Sequence, residues 1–186
     1  MSIRSGILAV LSVTEAYGLQ LHGELEERTD RVGRVNVGQI YSTLDRLVSA
    51  GLVRMSGATD DGLPLYGLTD DGTAAAEAWL RQPSLDVADP WGDMTFKVLL
   101  ATSLGHPGVV DLIDGYSAEW REMSAAATAT QPPRPAGLAQ RRLAQAALGW
   151  LDDLRALPGG PASLARPLRN ERPRRGRRPA TAPAHQ

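Results

Sequence analysis

The chain has 186 residues, 42% of them hydrophobic, and no cysteine. That length holds one or two domains, and the missing cysteines exclude a disulfide framework, a thiolate nucleophile and a thiolate metal site, in keeping with a reducing, cytoplasmic setting. The formal net charge of −1 is unevenly spread: residues 1–83 carry seven basic and eleven acidic side chains (−4), residues 84–157 six and nine (−3), and residues 158–186 seven and one (+6). No run of eighteen apolar residues suggests a membrane span, and the start, MSIRSGILAVLSV, lacks the cleavage pattern of a signal peptide.

Residues 3–12 read as a short buried helix, with Ile7, Leu8, Val10 and Leu11 inward, ended by a turn at Thr14 to Tyr17. A second helix is expected from Gly18 to about Arg28, with Leu19, His22 or Gly23, and Leu25 inward and Glu24, Glu26 and Glu27 outward. Asn36 followed by Gln39 has capping-box spacing and opens a third helix closed by Gly51. Its inner face is Val37, Ile40, Leu44, Leu47 and Val48. Its outer face, Gln39, Ser42, Thr43 and Arg46, is small, polar and neutral to basic. Such a face suits a major groove, because Gln pairs with adenine and Arg with guanine, but an ordinary solvated helix has the same periodicity. Arg31 and Arg34 stand just before this helix, where they would meet phosphate or remain solvated loop residues. Two short apolar runs, Leu52 to Met55 and Leu65 to Leu68, flank a turn-rich stretch and predict a β-hairpin, and Thr69 caps a further helix through Arg81. Helix, helix, helix, hairpin, helix is the order of a winged helix-turn-helix.

Three segments carry a family resemblance: Gly38-Gln39-Ile40-Tyr41 with Leu44, Arg46 and Leu47; Gly51-Leu52-Val53; and Tyr66, Leu68, Thr69 and Gly72. Over roughly residues 5–82 the chain resembles the PadR family of transcriptional regulators. The resemblance implies a DNA-facing set of Gln39, Tyr41, Ser42 and Arg46, with Tyr41 touching phosphate. Two positions depart from the family pattern. Ser42 stands where Pro is common, and Gly62-Leu63-Pro64-Leu65 stands where the wing usually carries Arg or Lys. With Asp60 and Asp61 at the tip, the wing is not assigned as a DNA contact.

Residues 83–94 read as a linker. Helices are expected at Thr95 to Leu104, Val109 to Met123 and Leu138 to Leu157, separated by Gly-His-Pro-Gly at 105–108 and by Pro132 and Pro133. Their apolar stripes predict burial against a second chain, and the resemblance implies dimerisation through such helices. Trp91, Phe96, Tyr116, Trp120 and Trp150 are candidates to line a cavity for a small aromatic effector, although core packing is the commoner fate of such residues. From Pro158 the chain turns rich in Pro, Gly, Ala and Arg, a composition expected to be disordered and able to add sequence-independent phosphate affinity.

The fold expected is therefore mainly α with a small β-hairpin: a winged helix-turn-helix at 1–83, a helical dimerisation and effector region at 84–157, and a basic tail at 158–186. The function expected is that of a homodimeric repressor binding double-stranded operator DNA, with no cofactor, metal or membrane. No Ser-His-Asp set, paired histidine or phosphate loop points to an enzyme. The alternative is a winged helix used for protein interaction, which the acidic charge of residues 1–83 favours.

Overall fold

The computed structural model describes residues 2–32, 35–86, 88–129 and 134–169. Helix α1 (Ile3–Leu11) lies at the centre of the N-terminal half, its residues Gly6 to Leu11 all buried. A two-residue strand β1 (Ala16–Tyr17) leads into α2 (Gly18–Arg28), and α3 (Val37–Ser49) follows across a turn. Strands β2 (Val53–Ala58) and β3 (Pro64–Leu68) then form the wing, with α4 (Asp70–Arg81) behind it. The sheet has three antiparallel strands in the order β1-β3-β2, one more than the hairpin expected, because Ala16 and Tyr17 pair with Tyr66 and Leu65. The first wing strand, β2, also runs past Met55, and a register shift between Met55 and Gly57 lets it continue to Ala58.

Local chemistry sets these boundaries. The Asn36 side chain accepts the Gly38 N–H at 2.8 Å and opens α3. At the other end Leu52 N–H donates to Leu47 C=O and Gly51 N–H to Val48 C=O, both at 3.0 Å, with Gly51 at φ 70°. This pair of bonds closes the helix and needs a left-handed residue at 51. Thr69 then ties α3 to α4: its hydroxyl donates to Gly51 C=O at 2.7 Å and accepts the Gly72 N–H at 3.1 Å.

Helix α5 (Pro90–Ser103) starts earlier than expected, since Asp89 caps it by accepting the Gly92 N–H at 2.9 Å and Pro90 occupies its first turn. Helices α6 (Val109–Ala129) and α7 (Pro135–Ala156) are antiparallel: Arg155 holds Asp114 at 2.6 Å at one end, while Gly137 lies against Ala127 at the other. The break expected at Pro132 and Pro133 lies outside the described residues. One core joins α1, α2, α3, the sheet and Phe96 and Leu100 of α5. A second joins Met94, Val98 and Ala101 of α5 to α6 and α7. The C-terminal stripes are thus covered to a large extent within one chain, with Tyr116, Trp120, Ala147 and Leu151 all at 0% exposure. Phe96 and Leu100 belong to the N-terminal core, so a fragment ending near residue 83 would lack part of its own interior.

The chain stays folded beyond Pro158, where a structureless tail was expected to begin. A 3-10 turn (Pro161–Leu164) and the segment to Arg169 pack back on α5 and α2, with Pro161 buried and Leu168 against the N-terminal core. Residues 170–186 lie outside the described residues.

Candidate nucleic-acid interface

The rigid floor of the candidate site is the inner side of α3, where Ile40, Leu44 and Leu47 are fully buried. Gln39, Tyr41 and Arg46 stand exposed on the other side, so their side chains are free to meet a groove while the helix axis is fixed by the core. Ser42 is half-buried, and its hydroxyl donates to Gln39 C=O at 3.2 Å. Thr43, placed on the outer face by periodicity, is 8% exposed. The covered stripe of α3 is wide enough to take in position 43 beside Leu44 and Leu47. Val37 and Val48, expected inward, are 36% and 37% exposed at the edges of that stripe.

Tyr41 is 39% exposed and lies over Gly18, the first residue of α2. A Cβ on Gly18 would come within 2.6 Å of the Tyr41 ring, so only glycine lets the tyrosine lie there. Beneath it Tyr66 of β3 is 8% exposed, and burial, Asp45 and Tyr41 together push its phenol above the ordinary value of 10.0. The loop into α3 is pinned by His22, whose Nε2–H donates to Val35 C=O at 2.7 Å, one residue before the Asn36 cap. This is a positioning role that a lone histidine did not announce in the sequence. Arg31 follows Asp30 at the end of α2, both left-handed at φ 58° and 48°, and its side chain is 75% exposed, 3.8 Å from Glu26. Arg34 lies outside the described residues.

At the wing tip Thr59 Oγ1 donates to Asp61 at 2.6 Å and accepts the Leu63 N–H at 3.0 Å, which holds an acidic turn in place. Arg54 on β2 is engaged by Glu15 at 3.2 Å. The wing therefore presents carboxylates, as its sequence suggested.

The aromatic set divides between the two cores. Phe96 is buried beside Trp79, ring centroids 6.3 Å apart, in the N-terminal core and away from the others. Tyr116 and Trp120 are fully buried; the Trp120 indole N–H donates to Met94 Sδ at 2.8 Å, and burial holds the Tyr116 phenol well above its ordinary range. Trp91 and Trp150 remain half-buried and face one another at 5.7 Å. The five residues do not line a common space within one chain. Between the cores Lys97, 2% exposed, donates to Gln82 C=O at 2.8 Å and lies 4.8 Å from the Trp79 ring and 5.7 Å from that of Tyr116. Desolvation lowers its ammonium pKa, while Asp93 and Glu119 oppose the shift.

His106 Nδ1 accepts the Gly108 N–H at 3.2 Å and its Nε2 faces Glu77 at 3.4 Å. His185 lies outside the described residues. Among the described residues no helix is long and apolar enough to cross a membrane, and no cluster of three or more His, Cys, Asp or Glu could hold a metal.

The family model described as "Transcriptional regulator PadR-like family" matches residues 7–78. Among solved structures the chain is similar to Bacillus subtilis PadR in complex with operator DNA, with 18% identity, TM-score 0.41, and 81% of this chain and 94% of that one covered. The same Bacillus subtilis protein in complex with p-coumaric acid aligns at 16% identity and TM-score 0.40, covering 81% and 95%. Streptococcus mutans UA159 smu.1604c aligns at 17% identity and TM-score 0.42, covering 82% and 98%. A comparison with curated protein sequences finds no match.

Proposed function

We propose, on the premise that residues 7–78 belong to the PadR-like family of transcriptional regulators, that this protein is a sequence-specific DNA-binding repressor. The observation that carries the reading is the exposed Gln39, Tyr41 and Arg46 on a helix whose opposite side is locked into a fully buried core. Arg46 and Gln39 read base edges, Tyr41 and Arg31 meet phosphates, and Arg34 is assigned the same role from its place in the sequence. The acting species is a homodimer whose two α3 helices enter successive major grooves about one helical turn apart. Its surface is drawn from α7, where Leu138 and Leu143 are 49% and 36% exposed. On this reading the winged head, the C-terminal helices and the basic tail are three functional parts. On the same reading a small aromatic effector enters at the half-buried Trp91 and Trp150. The second reading, a winged helix that binds protein, is favoured by the acidic wing tip held by Thr59 and Asp61.

The test is fluorescence anisotropy with labelled DNA from upstream of the protein's own gene and with a random duplex. Gln39→Ala and Arg46→Ala should each weaken binding to the upstream DNA by about 1–3 kcal/mol, the worth of one good base contact, with the melting temperature unchanged. Loss of melting temperature with intact DNA binding would sink the assignment of this face. Absence of salt-dependent binding to either DNA would favour the protein-interaction reading.

A further inference from the structure

The exposed face of α3 carries an acidic side chain, Asp45, among its glutamine, arginine and hydroxyl groups. At 100° per residue the buried Ile40, Thr43, Leu44 and Leu47 fill an arc of about 100°. Opposite that arc lies a stripe of Gly38, Ser42, Asp45 and Ser49, each within about 30° of the outward direction. Arg46 and Tyr41 stand about 70° to either side of it, and Gln39 about 90°. Two polar groups of the stripe are turned back on the helix, since the Ser42 hydroxyl donates to Gln39 C=O at 3.2 Å and the Ser49 hydroxyl to Asp45 C=O at 2.8 Å. Gly38 has no side chain. The Asp45 carboxylate is exposed, and among the described residues nothing pairs with it or donates to it. The glutamates of the winged head, Glu15, Glu24, Glu26, Glu27 and Glu77, are by contrast each engaged by an arginine. The most outward stripe of the helix thus presents an unmatched acceptor.

We infer that Asp45 reads a cytosine, accepting a hydrogen of its N4 amino group in the major groove, and so fixes a C·G pair in each half-site beside the pair that Arg46 reads. The inference rests on the DNA-binding reading above and names one base of the operator. Phosphates line the rims of the groove and base edges its floor, so a side chain at the outward centre of an inserted helix faces bases, while side chains on its flanks also reach the rims. An ionised carboxylate offers acceptors alone. Set against guanine O6 and N7 or thymine O4, it meets further acceptors and is left desolvated and unpaired. Adenine N6 is a donor, but the N7 acceptor beside it repels a carboxylate oxygen; cytosine N4 has no such neighbour on its groove edge. Aspartate is short and reaches the floor only from a helix that sits deep. Gly38, two turns earlier in the same stripe, leaves room for that approach. Consecutive Cα atoms are about 3.8 Å apart and base pairs about 3.4 Å, which puts Asp45 and Arg46 on neighbouring pairs. The acid also penalises every sequence that lacks the donor, which is specificity by exclusion.

Selection from a randomised duplex library by the intact protein, by Asp45→Asn and by Asp45→Ala gives each a base-preference profile, and anisotropy on the selected duplex with single base-pair changes gives affinities. The intact protein should select C at one symmetric position per half-site, and changing that pair should lower affinity roughly 5- to 150-fold, the worth of one base contact. N4-methylcytosine at that position, whose methyl replaces the groove-facing hydrogen, should do the same. Asp45→Asn should move the preference there from C to A, because an amide pairs with adenine N6 and N7. Asp45→Ala should lose the preference at that position alone and bind a random duplex more tightly than the intact protein does. Preferences elsewhere and the melting temperature should not change, since the side chain is exposed. Identical profiles for the three proteins, or variants whose affinity rises by one factor on every duplex, overturn the inference, because the carboxylate then does no more than repel phosphate. If Gln39→Ala and Arg46→Ala still alter the profile in that case, their assignment stands without Asp45. If the intact protein selects no sequence, both readings fall together.

Discussion

Arg28→Ala is the substitution whose cost the structure fixes best. The Arg28 side chain is 1% exposed and pairs at 2.6 Å with Glu24, itself 5% exposed. It also donates to the carbonyls of Ser103, Arg166 and Pro167 at 2.6, 3.2 and 2.9 Å. Alanine would leave the Glu24 carboxylate buried with the Arg169 N–H as its remaining partner and would strip donors from three carbonyls. Removing one member of a buried pair costs about 3–5 kcal/mol, a large share of the roughly 5–15 kcal/mol that holds a domain folded. Urea unfolding followed by the fluorescence of the four tryptophans reads this directly. With a slope of about 2 kcal/mol/M the midpoint should fall by roughly 2 M. Adding Glu24→Gln to Arg28→Ala removes the stranded charge, so the double variant should be more stable than the two single losses predict, by about 1–3 kcal/mol of coupling. A loss below about 1 kcal/mol, or strict additivity, would mean that water reaches the pair and that residues 166–169 are not clamped against α2.

Three further outcomes follow from particular contacts. Lys97 is held below its ordinary 10.5 by burial, so between its folded value and 10.5 the unfolded chain binds more protons and stability rises with pH. Tyr66 and Tyr116, both raised, reverse the trend above 10.0. Urea midpoints should therefore climb on the alkaline side and then turn down, and Lys97→Met should abolish the climb; a wild-type profile without it contradicts the burial argument. Gly18→Ala forces the half-exposed Tyr41 ring to swing away, which should change stability by less than about 1 kcal/mol while DNA affinity falls, and in a Tyr41→Ala background it should change affinity no further. Sedimentation velocity should show a dimer that Leu138→Glu with Leu143→Glu converts to monomer; a dimer that survives both places the interface elsewhere.

Helix α3 was legible because its signals are local. Asn36, Gly51 and the spacing of Ile40, Leu44 and Leu47 each act within one or two turns, and the structure places α3 where they indicate. Thr43 was missed because periodicity gives the direction of a face and says nothing of how wide a stripe the neighbours cover. Glu24 was placed outward because a carboxylate is expected in water. Its partners Arg28 and Arg169 lie 4 and 145 residues away, and the second of these carries no local signal. The ordered segment at 158–169 was hidden for the same reason, since its Arg, Pro and Gly have the composition of a structureless tail and are held by groups on α2 and α5. Phe96 looked like a member of one aromatic set because sequence neighbours 94, 96 and 98 cannot be sorted between two cores without knowing what lies on each side of α5.

That sorting decides how the parts can move. Phe96 and Leu100 face the N-terminal core, while Met94, Val98 and Ala101 face α6 and α7. At 100° per residue the two groups lie roughly 150° apart, on opposite sides of one helix. Lys97 falls between them and bridges Trp79 of α4 to Tyr116 of α6. A close-packed interior does not let one stripe slide while the other stays, because each lost contact costs the full burial of its residue. The C-terminal helices and the winged head are then joined by a shared helix and by residues 166–169, with the Ser103 carbonyl receiving both Arg28 and Arg166. In the dimer proposed above, a change in how the two C-terminal hairpins meet would be carried through α5 as a rigid displacement of the heads. The quantity altered is the distance between two α3 helices, and operators tolerate little change in it because half-sites repeat about every 34 Å. Binding to half-sites moved apart by single base pairs measures that distance. Affinity that ignores the spacing would mean that the heads move independently and that α5 does not couple them.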